Sequence, residues 1–72
     1  MHSQVYTQIQ KLITEGGKDD PKAISYIRTK LMLKGINPDN WKPDSIDSPK
    51  ALLIVNNFYH KLIERSKNNE NN

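Results

Sequence analysis

Residues 48–65 read SPKALLIVNNFYHKLIER, and the spacing of their apolar side chains decides the fold. On a helix with about 100° per residue, these side chains cover about half of the circumference. They are Ala51, Leu52, Ile54, Val55, Phe58, Tyr59, Leu62 and Ile63. A surface helix needs an apolar stripe of only about 100°. The excess favours contact with a partner, although a central bundle helix covered by both of its neighbours would show the same pattern.

A shorter amphipathic helix is predicted at the start of the sequence. Ser3 is its candidate N-cap, because a serine hydroxyl can accept a hydrogen bond from a free amide of the first turn. The apolar stripe consists of Val5, Tyr6, Ile9, Leu12 and Ile13. We expect the helix to end at Gly16-Gly17, since glycine adopts the left-handed conformation without a Cβ penalty.

The second helix has clear signals at both ends. Asp20-Pro21 is typical of a helix start, because aspartate caps free amides and proline is tolerated at the first helical position. The core stripe consists of Ala23, Ile24, Ile27 and Leu31. Gly35 is the predicted stop, with Ile36 packed back toward the helix as in a Schellman motif.

A connector rich in proline and aspartate, residues 36–47, separates the second helix from the third. Asn37 is expected to cap a turn or a single helical turn, and Ser48 is expected to cap the third helix. The connector aspartates lack the spacing of a calcium-binding loop and are interpreted as turn formers and N-caps: Asp39, Asp44 and Asp47. Trp41 either plugs the end of the bundle or anchors an interface, and the need of a small domain for apolar core favours the plug.

These elements predict an all-α fold, a small three-helix bundle in one domain. The helices span about residues 3–16, 20–34 and 48–66; the first two form a helical hairpin, and the third packs across it. Residues 1–66 form the domain, and residues 67–72 are expected to be a disordered polar tail. The predicted core consists of Ile9, Leu12, Ile13, Ile27, Leu31, Val55, Phe58, Tyr59 and Leu62.

Composition excludes several classes of protein. The chain of 72 residues contains no cysteine, so disulfides and thiolate metal sites are excluded. No stretch has the roughly 20 apolar residues of a membrane span, and the N-terminus lacks the pattern of a secretory signal, so we expect a cytoplasmic location. His2 and His60 are too isolated for a zinc site, and His60 with Tyr59 and Glu64 are ordinary neighbours on one helix. We therefore expect no enzyme, metal or cofactor.

The leading functional prediction is a non-enzymatic protein–protein interaction module, such as a regulator or adaptor, that docks its helix faces on a protein partner or on a second copy of itself as a homo-oligomer. Apolar residues outside the predicted stripes suggest its surface: Tyr26, Met32, Leu33 and Leu53. A rival explanation is that the Trp41 connector folds back over the second helix and buries Tyr26 and Leu33 within one chain.

The alternative prediction is a small nucleic-acid-binding regulator. The formal net charge of +3 is compatible with nucleic acid, and the second helix is basic. Only Lys30 and Lys34 form an i,i+4 patch on it. The loop before this helix suits a helix-turn-helix, but Tyr26, Met32 and Leu33 place apolar groups where base-reading side chains belong.

Overall fold

The computed structural model describes the backbone of residues 3–70 and the side chains of residues 3–64. It contains three helices: α1 (Gln4–Gly17), α2 (Pro21–Leu33) and α3 (Pro49–Glu70). A 3₁₀ turn, Pro38–Asn40, lies in the connector, and the described backbone contains no strand. The predicted all-α three-helix bundle is confirmed. Helix α3 continues past residue 66 to Glu70, while residues 71 and 72 of the predicted tail lie outside the described residues.

The helices begin where the sequence places their caps. The Ser3 hydroxyl accepts a hydrogen bond from the Tyr6 amide at 3.2 Å, and the Ser48 hydroxyl accepts one from the Ala51 amide at 3.3 Å. Asp20 accepts from the Lys22 amide at 3.1 Å, and Asn37 accepts from the Asp39 amide at 3.0 Å. These predictions succeed because each cap and its amide are close neighbours in the chain.

The C-terminus of α2 is the predicted Schellman motif. Gly35 has a φ of 88°, and its amide donates to the Met32 carbonyl at 3.0 Å. The Ile36 amide donates to the Leu31 carbonyl at 2.8 Å. Ile36 is 5% exposed, so the motif turns the connector back onto the core.

A second capping group reaches α1 from the connector. The Asp47 carboxylate accepts hydrogen bonds from the Ser3 hydroxyl at 2.6 Å and from the amides of Gln4 and Val5 at 2.9 and 3.2 Å. These bonds favour the charged form and lower the pKa of Asp47, the hydroxyl of Ser3 contributing most. The Ser3 amide also donates to the Pro43 carbonyl at 2.7 Å. The connector is therefore bonded directly to the first turn of α1.

Helix α1 ends at the predicted glycine pair, but the predicted reason, a left-handed glycine, is wrong. Both glycines belong to the helix, and the left-handed residues that follow it are Lys18 (φ 47°) and Asp19 (φ 61°). A methyl group on Gly16 would lie 2.5 Å from Leu62 Cδ2, and one on Gly17 would lie 2.5 Å from Ile24 Cγ1. The absence of Cβ at this pair allows the other helices to approach α1 closely.

The core lies around α1, which packs against both α2 and α3. Its buried residues are Val5, Ile9, Leu12, Ile27, Leu31, Ile36, Ala51, Val55 and Phe58, with Ile13, Trp41, Leu52, Ile54, Tyr59 and Leu62 half-buried against them. The predicted core is thus confirmed, with three of its members only half-buried: Ile13, Tyr59 and Leu62. Helices α2 and α3 approach each other less closely than either approaches α1. The central helix of the bundle is therefore α1, not α3.

Candidate binding groove

Part of the wide apolar face of α3 remains accessible. Ala51, Val55 and Phe58 are buried, whereas Leu52, Ile54, Tyr59, Leu62 and Ile63 are half-buried. On the side of α1, Tyr59 donates a hydrogen bond from its hydroxyl to Glu15, which raises the pKa of Tyr59. On the side of α2, Ile54 borders open cavities. Uncovered parts of the face thus lie on both sides of α3: Leu52 borders a cavity of about 320 Å³ beside α1, and Ile54 borders two cavities beside α2, which have lysines around them.

Two adjoining cavities form a groove between α2 and α3. One, of about 350 Å³, is lined by Lys34, Ile54, Asn57, Phe58 and Lys61. The other, of about 380 Å³, is lined by Lys34, Gly35, Ile36, Trp41, Ser48, Lys50, Ala51 and Ile54. They share Lys34 and Ile54 as lining residues. We call the two adjoining cavities together the α2–α3 groove.

The groove continues toward the connector. A third cavity, of about 390 Å³, shares Gly35 and Trp41 with the second and reaches Ile46. Trp41 is half-buried against the core, as expected of a plug, and its remaining surface lines the groove, so its predicted role as plug or interface anchor stays a prediction. Ile46 is 92% exposed. Trp41 and Ile46 are the large apolar residues of this third cavity, and its other lining residues are Gly35, Asn37, Asn40 and Ser45.

Lysines surround the apolar floor of the groove. Lys34 lies at the C-terminal end of α2, and Lys50 and Lys61 are contributed by α3; all three are exposed. The Lys34 ammonium lies 5.5 Å from the centre of the Phe58 ring, a cation–π contact. Among the described residues, no aspartate or glutamate lines the groove. The local field is therefore positive.

The predicted interface residues are all exposed, Leu33 most and Tyr26 least: Tyr26 45%, Met32 59%, Leu33 77% and Leu53 61%. The Trp41 connector does not cover Tyr26 and Leu33, so that rival explanation is wrong. The four residues do not share one face. With about 100° per helical residue, Met32 and Leu33 point in different directions, and Leu53 lies on another helix. Their role as an interface stays a prediction.

The lysines of the nucleic-acid alternative have different surroundings. Lys30 places its ammonium 5.7 Å from the centre of the Tyr26 ring, whereas Lys34 lines the groove. Arg28, on the same helix, pairs with Asp39 at 2.6 Å, with 40% and 70% of the two side chains exposed. Helix α2 therefore does not present its basic residues as one row.

Sequence reasoning missed the groove residues Ile46, Lys50, Ile54 and Lys61 as site residues. The excess width of the α3 apolar face was the available signal, since Ile54 belongs to it. Nothing in the sequence indicated that Lys50 and Lys61 would meet Lys34, because their proximity depends on how α2 and α3 are placed. The position of Ile46 beside Trp41 depends equally on the path of the connector.

The histidine and acidic side chains of the described residues are the candidates for a metal site. Among residues 3–64, whose side chains the structure describes, no group of three His, Cys, Asp or Glu side chains could hold a metal ion. His60 makes an edge contact with the Tyr59 ring at 5.8 Å between centroids, and His2 lies outside the described residues. No helix in this part of the chain is both long and apolar enough to cross a membrane.

No protein-family model, curated protein or solved structure matches this chain significantly.

Proposed function

We propose that this protein is a non-enzymatic interaction module, a cytoplasmic regulator or adaptor, that binds a protein partner in the α2–α3 groove. The observation that carries the proposal is the incompletely covered apolar face of α3. Its residue Ile54 is half-buried beside Trp41, and the adjoining Ile46 is 92% exposed. Exposed apolar patches mark protein interaction sites.

The apolar surface is large enough to matter energetically. Complete burial of an isoleucine or leucine side chain contributes about 1.5–3 kcal/mol relative to full exposure. Ile46 would contribute nearly the full burial free energy, because it is 92% exposed. Ile54 and Trp41 would contribute only part of theirs, because they are already half-buried. Micromolar affinity needs about 8 kcal/mol after the costs of association, so these contacts would supply part of the binding free energy and the rest of the partner's interface would supply the remainder.

A second copy of the chain is the other partner to consider. Pairing about a two-fold axis through the groove would bring the same surface of each copy together. Lys34, Lys50 and Lys61 would then face lysines, which disfavours the groove as a homodimer interface. Self-association through a different surface would not bring these lysines together and remains part of the proposal. That surface consists of Tyr26, Met32, Leu33 and Leu53.

Site-specific photo-crosslinking tests the proposal in cells of the source organism. A photoreactive phenylalanine analogue at Ile54 places the probe in the groove. The same analogue at Gln10, exposed on α1, is the matched control. We expect a discrete adduct from position 54 that is missing from position 10. The adduct's mass in excess of the 8.3 kDa chain gives the partner's size.

The outcomes separate the candidate partners. An excess mass of one further chain identifies a second copy, and a larger excess identifies a different protein. A protein adduct at position 54 that disappears when Ile46 is changed to Asp supports the groove as the binding surface. Identical adducts from positions 54 and 10, or no protein adduct at position 54, would refute the proposal.

A further inference from the structure

We infer that the partner segment bound in the α2–α3 groove is an amphipathic helix with acidic side chains beside its apolar stripe. This inference rests on the proposed function and adds the chemistry of the partner. The carrying observation is the combination of an apolar floor with lysines on both walls and at both ends. Lys34 stands on the α2 side, and Lys50 and Lys61 stand on α3.

The length of the groove suits a helix. Lys50 and Lys61 lie on the same helix and mark the two ends of the groove, which corresponds to about 16 Å at 1.5 Å per residue. A bound helix of about three turns would span that length. It would place apolar residues at i, i+3 or i+4 and i+7 over Ile54 and Phe58, the usual pattern of helix-in-groove recognition.

Charge selects the flanking residues of the partner. Lys34 has its ammonium over the Phe58 ring, at 5.5 Å from the centroid. A glutamate on the bound helix would give this ammonium a charged hydrogen-bond acceptor, which is a stronger partner than a ring face. Acidic residues near Lys50 and Lys61 would do the same at the two ends. A basic partner would meet repulsion along the whole groove.

The apolar floor favours a protein over a nucleic acid. Phosphates could contact Lys34, Lys50 and Lys61, but a phosphate backbone has no apolar side chains to cover Ile54 and Ile46. Nucleic-acid surfaces also draw on arginine, and Arg28 is paired with Asp39 at 2.6 Å. An amphipathic acidic helix satisfies both the lysines and the floor.

Three synthetic 18-residue peptides without tryptophan test the inference against the full-length chain. The first has leucine at the helical stripe positions and glutamate beside them. The second keeps leucine and replaces glutamate with lysine, and the third keeps glutamate and replaces leucine with serine. Trp41 is the only tryptophan of the protein and lines the groove, so its fluorescence reports binding there directly.

Charge reversal at the groove provides the matched comparison. The variant Lys50→Glu with Lys61→Glu changes two exposed groove lysines. Lys11→Glu with Lys22→Glu makes the same change of net charge at exposed positions on α1 and α2 outside the groove. Circular dichroism checks that both variants keep their helices.

We expect the leucine–glutamate peptide alone to shift the Trp41 emission. The groove variant should weaken this binding by about tenfold, a change of about 1.4 kcal/mol, whereas the control should change it by less than about twofold. The groove variant should also gain affinity for the leucine–lysine peptide. Equal binding of both leucine peptides to the unmodified protein, or no effect of the groove variant, would overturn the inference.

Two further outcomes are informative. A mixed-sequence oligonucleotide that shifts the Trp41 emission more strongly than any peptide, with steep salt dependence, would overturn the inference in favour of nucleic acid. A protein adduct at position 54 with no response to the acidic peptide would overturn only the acidic helix. Loss of the adduct itself would overturn the proposed function as well.

Discussion

Replacement of Gly17 by alanine tests whether this glycine is a contact between helices. The new methyl group would lie 2.5 Å from Ile24 Cγ1 and 3.7 Å from Ile24 Cα. Because Cγ1 is close to the backbone of α2, it cannot move away by rotation of a side-chain tip. Overpacking of this kind costs about 1–3 kcal/mol, while alanine gains about 1 kcal/mol over glycine within a helix.

The net expectation is a loss of about 1 kcal/mol in the free energy of unfolding. For a domain of this size, that loss lowers Tm by about 4–8 °C. Gly16→Ala should cost less, because the nearest atom, Leu62 Cδ2 at 2.5 Å, is the tip of a half-buried side chain. Urea unfolding followed by circular dichroism measures both variants.

A double-mutant cycle with Ile24→Ala isolates the contact. Removal of Cγ1 creates room for the methyl group, so Gly17→Ala should stabilise the Ile24→Ala background by about 1 kcal/mol through helix propensity. The coupling energy is then about 2 kcal/mol, within the range for residues in contact. Gly35→Ala is the control for backbone strain. The φ of Gly35 is 88°, and an added methyl group would meet nothing within 4 Å. The cost of Gly35→Ala should therefore be the same with and without Ile24→Ala. An equal effect of Gly17→Ala in both backgrounds would refute the contact.

Three further predictions concern the core, the connector and the outer face of α2. Phe58→Ala should cost about 3–5 kcal/mol, comparable to the stability of so small a domain, and an unchanged melting curve would contradict the packing. Folding lowers the pKa of Asp47, so the charged carboxylate stabilises the fold fully above the unfolded-state pKa, and this stabilisation is lost as pH falls through the folded-state pKa. Asp47→Asn should therefore remove the acid sensitivity of the free energy of unfolding below about pH 4, measured by urea unfolding. The control variant Asp44→Asn should keep that acid sensitivity. Tyr26→Ser with Leu33→Ser should abolish self-association in light scattering while preserving helical content, and unfolding of the isolated monomer would show that these residues belong to the core.

The fold was predictable wherever the signal is local. The caps at Ser3, Asp20 and Ser48 each use a side chain and an amide that are at most three residues apart. The end of α1 at Gly16-Gly17 was predicted correctly, but its reason was not, because a missing Cβ serves two purposes: left-handed backbone and close approach. Only the positions of Ile24 and Leu62 decide between them.

The candidate site was predictable only in part. The width of the α3 face indicated uncovered apolar surface, since the periodicity of one helix fixes which residues share a face. The groove itself is a gap between α2 and α3, and its shape depends on how both pack on α1. The meeting of Lys34 with Lys50 and Lys61 is a property of that packing and of no single segment.

The bond between Asp47 and Ser3 has a consequence for the order of folding. It joins residues 44 positions apart, and closure of a loop of that length costs about 3 kcal/mol of chain entropy beyond a constant term. The α1–α2 hairpin needs no such closure, so it can form before the connector arrives. Amides in the first turn of a helix ordinarily exchange with solvent through local fraying. Those of Gln4 and Val5, held by Asp47, are expected to exchange only when the connector detaches, which makes them native-state reporters of the last folding step.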